Sequence, residues 1–204
     1  DIDARCEPEH CVTISDKARA VGGGVLEAVS LFGQIYGNYG VALLAAGEAK
    51  RFGSDKLSEK FQGIPLYRYA LEMLEAFSGL SRVVVTAREA LAEEAQRLGI
   101  HIVENRQPEQ GISHSVSLAL QELLSQNPDL EGVLFLVCDQ PGIQAATIQK
   151  ILKEGCLHKN SIVCAGYDGM RGNPVLWGST YFQELMHLTG DCLLYTSPSP
   201  RDPK

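Results

Sequence analysis

From Val41 onward the chain alternates short, continuous apolar runs with stretches whose apolar positions recur every three or four residues. Continuous runs of four to seven bounded by polar residues predict strands buried on both faces, and the three-to-four repeat predicts helices that cover them. Val41–Ala45, Arg82–Thr86, His101–Glu104 and Gly132–Cys138 are the predicted strands, the last being the most hydrophobic. A helix is expected from about Pro65 through Phe77, carrying Tyr67, Ala70, Leu71, Leu74 and Phe77 on one face. Others are expected over Glu89–Leu98, closed by Gly99, and over Ser113–Leu124, with Ser113 as its cap. Gly166-Tyr167-Asp168-Gly169 reads as a hairpin turn leading into a strand at Arg171–Leu176. This order predicts an α/β protein, a mainly parallel central sheet between two helical layers, with ligands at the carboxyl ends of the strands.

Residues 1–39 do not share the pattern. Val21-Gly22-Gly23-Gly24 reads as a linker and Val25–Ile35 as a short helix, so the segment is expected to be an extension or the remnant of a preceding domain. Residues 40–191 form the expected domain.

At 204 residues and 45% hydrophobic, the chain is long enough for one sizeable core. Its formal net charge of -7 argues against nucleic acid as a partner, because phosphate backbones select basic faces. Six cysteines without a Cys-x-x-Cys pair suggest neither a zinc site nor a disulfide framework. No apolar run is long enough to cross a bilayer, and no basic flank precedes a hydrophobic stretch at the start, so a cytoplasmic protein without membrane contact is expected.

Candidate chemistry collects where the predicted strands end. Val41–Ala45 runs into Ala46-Gly47 and a short segment carrying Arg51, Gly53 and Lys56. Backbone N–H groups free of large side chains approach a polyphosphate closely, and Arg51 and Lys56 supply charge that amides lack. Asp139, in Cys138-Asp139-Gln140-Pro141, follows the most hydrophobic strand. A carboxylate there suits magnesium, which takes oxygen ligands and shares them with substrate phosphate; capping the next helix is the competing role. Asn105 through Ser115 opens a helix, where small polar residues and free amides complement negative charge.

The spacing Leu44-Ala45-Ala46-Gly47, Arg51, Gly53, Lys56 fits neither the dinucleotide fingerprint nor the P-loop. It resembles L-A-A-G-x-[SG]-x-R-[MF]-G-x-x-K, the signature of the MobA-like nucleotidyltransferases. Asp139 resembles the aspartate of that family's D-x-P motif, and Asn105, Gly111 and Ser115 match its N-x-x-x-x-x-G-[MI]-x-x-S stretch, which faces the nucleotide. Arg171-Gly172-Asn173-Pro174-Val175 resembles R-G-H-P-V-x-F on the acceptor side, with Asn173 in place of histidine and Trp177 in place of phenylalanine. Gly190-Asp191 resembles the start of G-D-x-G-A-R, which makes Asp191 a second metal ligand.

The resemblance implies a three-layer Rossmann-like (GT-A-like) fold and transfer of a nucleotidyl group from a nucleoside triphosphate to an acceptor phosphate. It implies Leu44, Ala45, Ala46, Gly47, Arg51, Lys56, Asn105, Gly111 and Ser115 on the nucleotide, Arg171, Asn173 and Pro174 on the acceptor, and Asp139 and Asp191 on Mg2+. Arg51, Lys56 and Asp139 would be the catalytic set. The single glycine after Ala46 and the Gly111-Ile-Ser-His-Ser run look closer to the molybdenum cofactor cytidylyltransferases than to the guanylyltransferases. CTP and molybdenum-loaded molybdopterin are then the expected substrates, and a molybdenum hydroxylase or its maturation chaperone the expected recipient. A guanylyltransferase, a sugar- or polyol-phosphate nucleotidyltransferase, and a non-catalytic nucleotide-binding or chaperone module are the alternatives. Cys192–Lys204 departs from the family, is rich in proline and resembles translated adapter read-through, so residues 192–204 are expected to be foreign to the domain.

Overall fold

The computed structural model describes residues 10–13, 36, 38–46, 60–140, 142–167 and 170–189. The expected helix at Val25–Ile35, the Gly47–Lys56 part of the cradle, Asp191 and the 192–204 tail lie outside the described residues.

The strands are β1 (His10–Thr13), β2 (Tyr39–Ala45), β3 (Lys60–Phe61), β4 (Ile64–Pro65), β5 (Ser81–Thr86), β6 (His101–Glu104), β7 (Gly132–Val137), β8 (Ile162–Tyr167) and β9 (Met170–Gly178). The helices are α1 (Leu66–Glu75), α2 (Glu89–Arg97), α3 (Ile112–Gln126), α4 (Ala145–Leu157) and α5 (Phe182–Met186). Seven strands form one sheet in the order β1-β8-β9-β7-β2-β5-β6, while β3 and β4 make a small hairpin of their own. All neighbours in the large sheet run parallel except the two pairs that involve β9, which is antiparallel to both β7 and β8.

The period of two along β2 assigns its side chains to two cores. Val41, Leu43 and Ala45 face a layer that includes Leu71 and Leu74 of α1, Leu91 of α2, and Ile148, Ile151 and Leu152 of α4. Ala42 and Leu44 face the other, with Val116, Ala119, Leu120 and Leu123 of α3 and Phe182 and Leu185 of α5. β2 is buried along its whole length, as its unbroken apolar run requires.

The connections set the location of a site. From β2 the chain moves outward through α1 to β5 and through α2 to β6, then returns across the opposite face through α3 to β7, on the other flank of β2. Chain leaving β2 therefore runs toward β5 and chain leaving β7 toward β8, in opposite directions along the sheet. The crevice between their carboxyl ends is the switch point where open α/β sheets bind ligands.

Elements β1, α4 and β8 add to the expected domain. His10–Thr13 pairs in parallel with β8, so part of the N-terminal segment forms an edge of the sheet. The helix α4 and the strand β8 fill the stretch between Gly142 and the expected hairpin.

Candidate active site

Ala45, the last residue of β2, and Ala46 after it are almost wholly buried, which makes this strand end a fixed platform. On one side Ala45 is paired with Thr86 of β5. The Thr86 hydroxyl donates to the Ala45 carbonyl at 3.4 Å and accepts the backbone N–H of Arg88 at 3.0 Å. The Arg88 guanidinium donates to the same carbonyl at 2.6 Å. Neither Thr86 nor Arg88 stands out in the sequence, because both act through lateral strand pairing across 41 and 43 residues. The usable signal is position: an arginine two residues beyond a buried strand, at the ligand-binding edge.

On the other side of β2, Val137 of β7 pairs with Leu44. Cys138, which follows, is buried, and Asp139 emerges exposed at the sheet edge. Helix α4 does not begin until Ala145, with Gln144 at its N-cap position, so capping that helix is not the role of Asp139. Among the described residues no group of three or more His, Cys, Asp or Glu side chains is placed to enclose a metal ion. One exposed carboxylate at this strand end fits magnesium held by one or two carboxylates and completed by water and phosphate oxygens. The partner expected of Asp139, Asp191, lies outside the described residues.

The third wall is the segment between β6 and α3. Asn105 is fully buried, with its N–H bonded to the Thr86 carbonyl at 3.0 Å. Its Nδ2 donates to Ser115 Oγ at 3.0 Å, and its Oδ1 accepts the Gln107 N–H at 2.9 Å. Asn105 and Ser115 thus face each other and hold the segment in shape. Gly111, at φ 83°, turns the chain into α3. The expected cap at Ser113 is not observed: α3 begins one residue earlier at Ile112, Gly111 occupies the cap position, and Ser113 is buried in the first turn. The amides of that turn lie at the positive end of a 15-residue helix, an arrangement that favours negative charge.

The fourth wall belongs to β9. Because β9 is antiparallel, its start lies at the edge where the parallel strands end. Val175 pairs with Phe135, so Asn173 and Pro174 continue from that pair toward Cys138 and Asp139. A register shift between Cys164 and Ala165 sets Asn173 and Pro174 off from the regular ladder, and the Asn173–Pro174 peptide is cis. Arg171 is exposed at the same edge. The structure therefore brings Leu44, Ala45, Ala46, Asn105, Gly111, Ser115, Asp139, Arg171, Asn173 and Pro174 to one edge of the sheet, while Gly47, Arg51, Lys56 and Asp191 fall outside the described residues.

Comparison with known proteins shows the family of the domain. Residues 41–196 match the MobA-like NTP transferase domain. The chain belongs to this family. A relative from Thermococcus gammatolerans named "Probable molybdenum cofactor guanylyltransferase" is 39% identical over 62 residues, which is 30% of this chain and 32% of that protein. "Bifunctional protein GlmU" of Thermobifida fusca is 32% identical over 118 residues, 55% of this chain and 24% of that protein. The matches thus span a third or less of these two relatives' length. Among solved structures, Rv0371c from Mycobacterium tuberculosis H37Rv superposes with a TM-score of 0.60 at 24% identity, covering 75% of this chain and 78% of that one. At that identity the likeness establishes the fold alone. The MobA-like domain carries its mainly parallel three-layer architecture here with β9 reversed beside β7. No described helix is long and apolar enough to cross a membrane.

Proposed function

We propose that this chain is a nucleotidyltransferase that moves CMP from CTP to the terminal phosphate of molybdopterin and releases pyrophosphate. The observation that carries the reading is the meeting of two kinds of chain end at one sheet edge. The carboxyl ends of β2 and β7 supply the donor side, and the incoming end of β9 supplies the acceptor side.

In the reaction, an oxygen of the acceptor phosphate forms a bond to the α-phosphorus, and the bond from that phosphorus to the oxygen bridging to the β-phosphate breaks. Such a displacement needs alignment and charge neutralisation more than a protein nucleophile. Magnesium, when bound, would neutralise developing charge on the phosphates. Asp139 and Asp191 would hold it. Arg51 and Lys56 would carry the triphosphate charge, with Gly47 offering backbone N–H, and the first turn of α3 would add amides on the side of Gly111. Arg171, Asn173 and Pro174 would orient the acceptor. Asn173 keeps the hydrogen-bonding capacity of the histidine usual in the family but not its positive charge, so acceptor binding would lack an imidazolium.

The base is the finer point. The single glycine after Ala46 and the Gly111-Ile112-Ser113-His114-Ser115 run support cytidine. The names of the curated relatives support guanosine as the second reading. A molybdenum hydroxylase or its maturation chaperone would receive the cytosine dinucleotide product. The test is pyrophosphate release with magnesium and molybdenum-loaded molybdopterin, comparing CTP, GTP and ATP. Release with CTP alone is expected; release with GTP alone would transfer the assignment to the guanylyl reading. Release only with a sugar or polyol phosphate as acceptor would keep the chemistry and replace the acceptor. Nucleotide binding without turnover would point to a non-catalytic module.

A further inference from the structure

Arg88 is the N-cap residue of α2, with extended backbone (φ -102°, ψ 118°) and no side-chain cap. An arginine is a poor choice there. It offers no acceptor for the free N–H groups of the first turn, and its charge opposes the positive end of the helix. The side chain instead turns back over the sheet edge to the Ala45 carbonyl, half-buried. Ala45, Thr86 and Arg88 close a ring: hydroxyl to carbonyl, guanidinium to the same carbonyl, and Arg88 N–H to the hydroxyl. A residue that disfavours its own helix while fixing a strand end at the ligand edge is the kind of local conflict that functional sites retain.

We propose that Arg88 is a positioning residue for the triphosphate, acting through the Ala45 carbonyl, an inference that rests on the nucleotidyltransferase reading. Ala45 is two residues before Gly47, so the direction of its carbonyl fixes the Ala45–Ala46 peptide plane from which the chain leaves the sheet. The guanidinium also offsets the partial negative charge of a strand-end carbonyl where an anion has to approach. At the same edge Arg106 is strongly exposed and paired with Glu104, and Arg88 donates to the backbone of the central strand.

The experiment compares Arg88→Ser, Arg88→Lys and Thr86→Val with the wild-type chain in pyrophosphate release and in thermal unfolding. Serine is a good N-cap, so Arg88→Ser is expected to unfold at the same temperature or higher while kcat falls about ten- to hundredfold, with KM for the triphosphate within about threefold. Arg88→Lys, which restores a donor to the carbonyl, is expected to recover most of that loss. Thr86→Val lowers kcat in the same direction, and the double variant is no worse than the more impaired single one, as two members of one ring require. An unchanged kcat in Arg88→Ser overturns the proposal and leaves the nucleotidyltransferase reading intact. So does a loss of activity that only follows a lowered unfolding temperature. A wild-type chain that releases no pyrophosphate with any triphosphate and acceptor removes both.

Discussion

Asn105 Nδ2 donates to Ser115 Oγ at 3.0 Å inside the protein, joining the end of β6 to the first turn of α3 across a ten-residue segment. Both side chains are buried, and the Asn105 carbonyl oxygen is already engaged by Gln107 N–H. The pair holds a wall of the site in shape from behind. Asn105→Ala would leave the Ser115 hydroxyl and the Gln107 N–H to find other partners. Each unsatisfied buried group costs about 1–3 kcal/mol, so a loss of roughly 2 kcal/mol is expected by urea denaturation, with weaker nucleotide binding. Full stability in Asn105→Ala would show that the segment is held by other contacts.

Asp139 gives the opposite outcome. Its carboxylate is exposed at the end of β7, so Asp139→Asn should leave the urea midpoint close to that of the wild type. Pyrophosphate release is expected to fall by about a hundredfold or more, as for removal of a charge that acts on the reacting phosphates. Retention of activity within about threefold would exclude Asp139 from magnesium binding.

Gly178 closes β9 where the backbone of Asn160 crosses it. A Cβ placed there would lie 2.7 Å from Asn160 Cα and 3.0 Å from its carbonyl carbon, both main-chain atoms that cannot rotate aside. Gly178→Ala is therefore expected to destabilise the chain by about 1–3 kcal/mol, read as a lowered unfolding temperature. An unfolding temperature equal to that of the wild type would show that the Asn160 turn shifts without cost.

Alkaline pH should weaken the fold through Tyr39 and Cys156, which lie against each other. Burial raises the Tyr39 phenol well above 10.0, reinforced by the Cys156 thiol and by Glu131. Burial likewise raises the Cys156 thiol from 9.0, against the opposing hydrogen bond from Tyr39. In the unfolded chain these groups ionise first, so their contribution is complete below about pH 9 and declines as pH rises through 9 and 10 toward the folded values. The unfolding temperature is expected to fall in that window, and Tyr39→Phe to flatten the fall. An identical pH profile for Tyr39→Phe would assign the effect elsewhere.

The fold was legible where burial is two-sided. Val41–Ala45 and Gly132–Val137 are strands because unbroken apolar runs of that length have only a sheet interior to occupy. Less of the stretch from Gly142 to Ser161 was legible. Its helix contains Gly155, which ordinarily weakens a helix but here sits where a Cβ would meet Leu176 Cδ2, so tight packing of α4 on β9 explains the residue. Asp139, Asn105, Ser115 and the Arg171–Pro174 segment could be placed at the strand ends from the sequence because they lie on recognisable motifs. Arg88 was not singled out, since its meaning depends on β5 lying beside β2, a lateral fact that spacing along the chain does not encode.

The reversed direction of β9 divides labour between two kinds of evolutionary change. The residues proposed for the donor side sit on chain leaving the sheet, so altering them disturbs segments that also lead into helices α1, α3 and α4. The residues proposed for the acceptor side sit on chain entering the sheet, just after the short connection between Tyr167 and Met170. Insertions in that connection would reshape the proposed acceptor side while β2, β5 and β7 keep their register. One architecture can therefore keep its triphosphate chemistry and exchange the molecule it modifies.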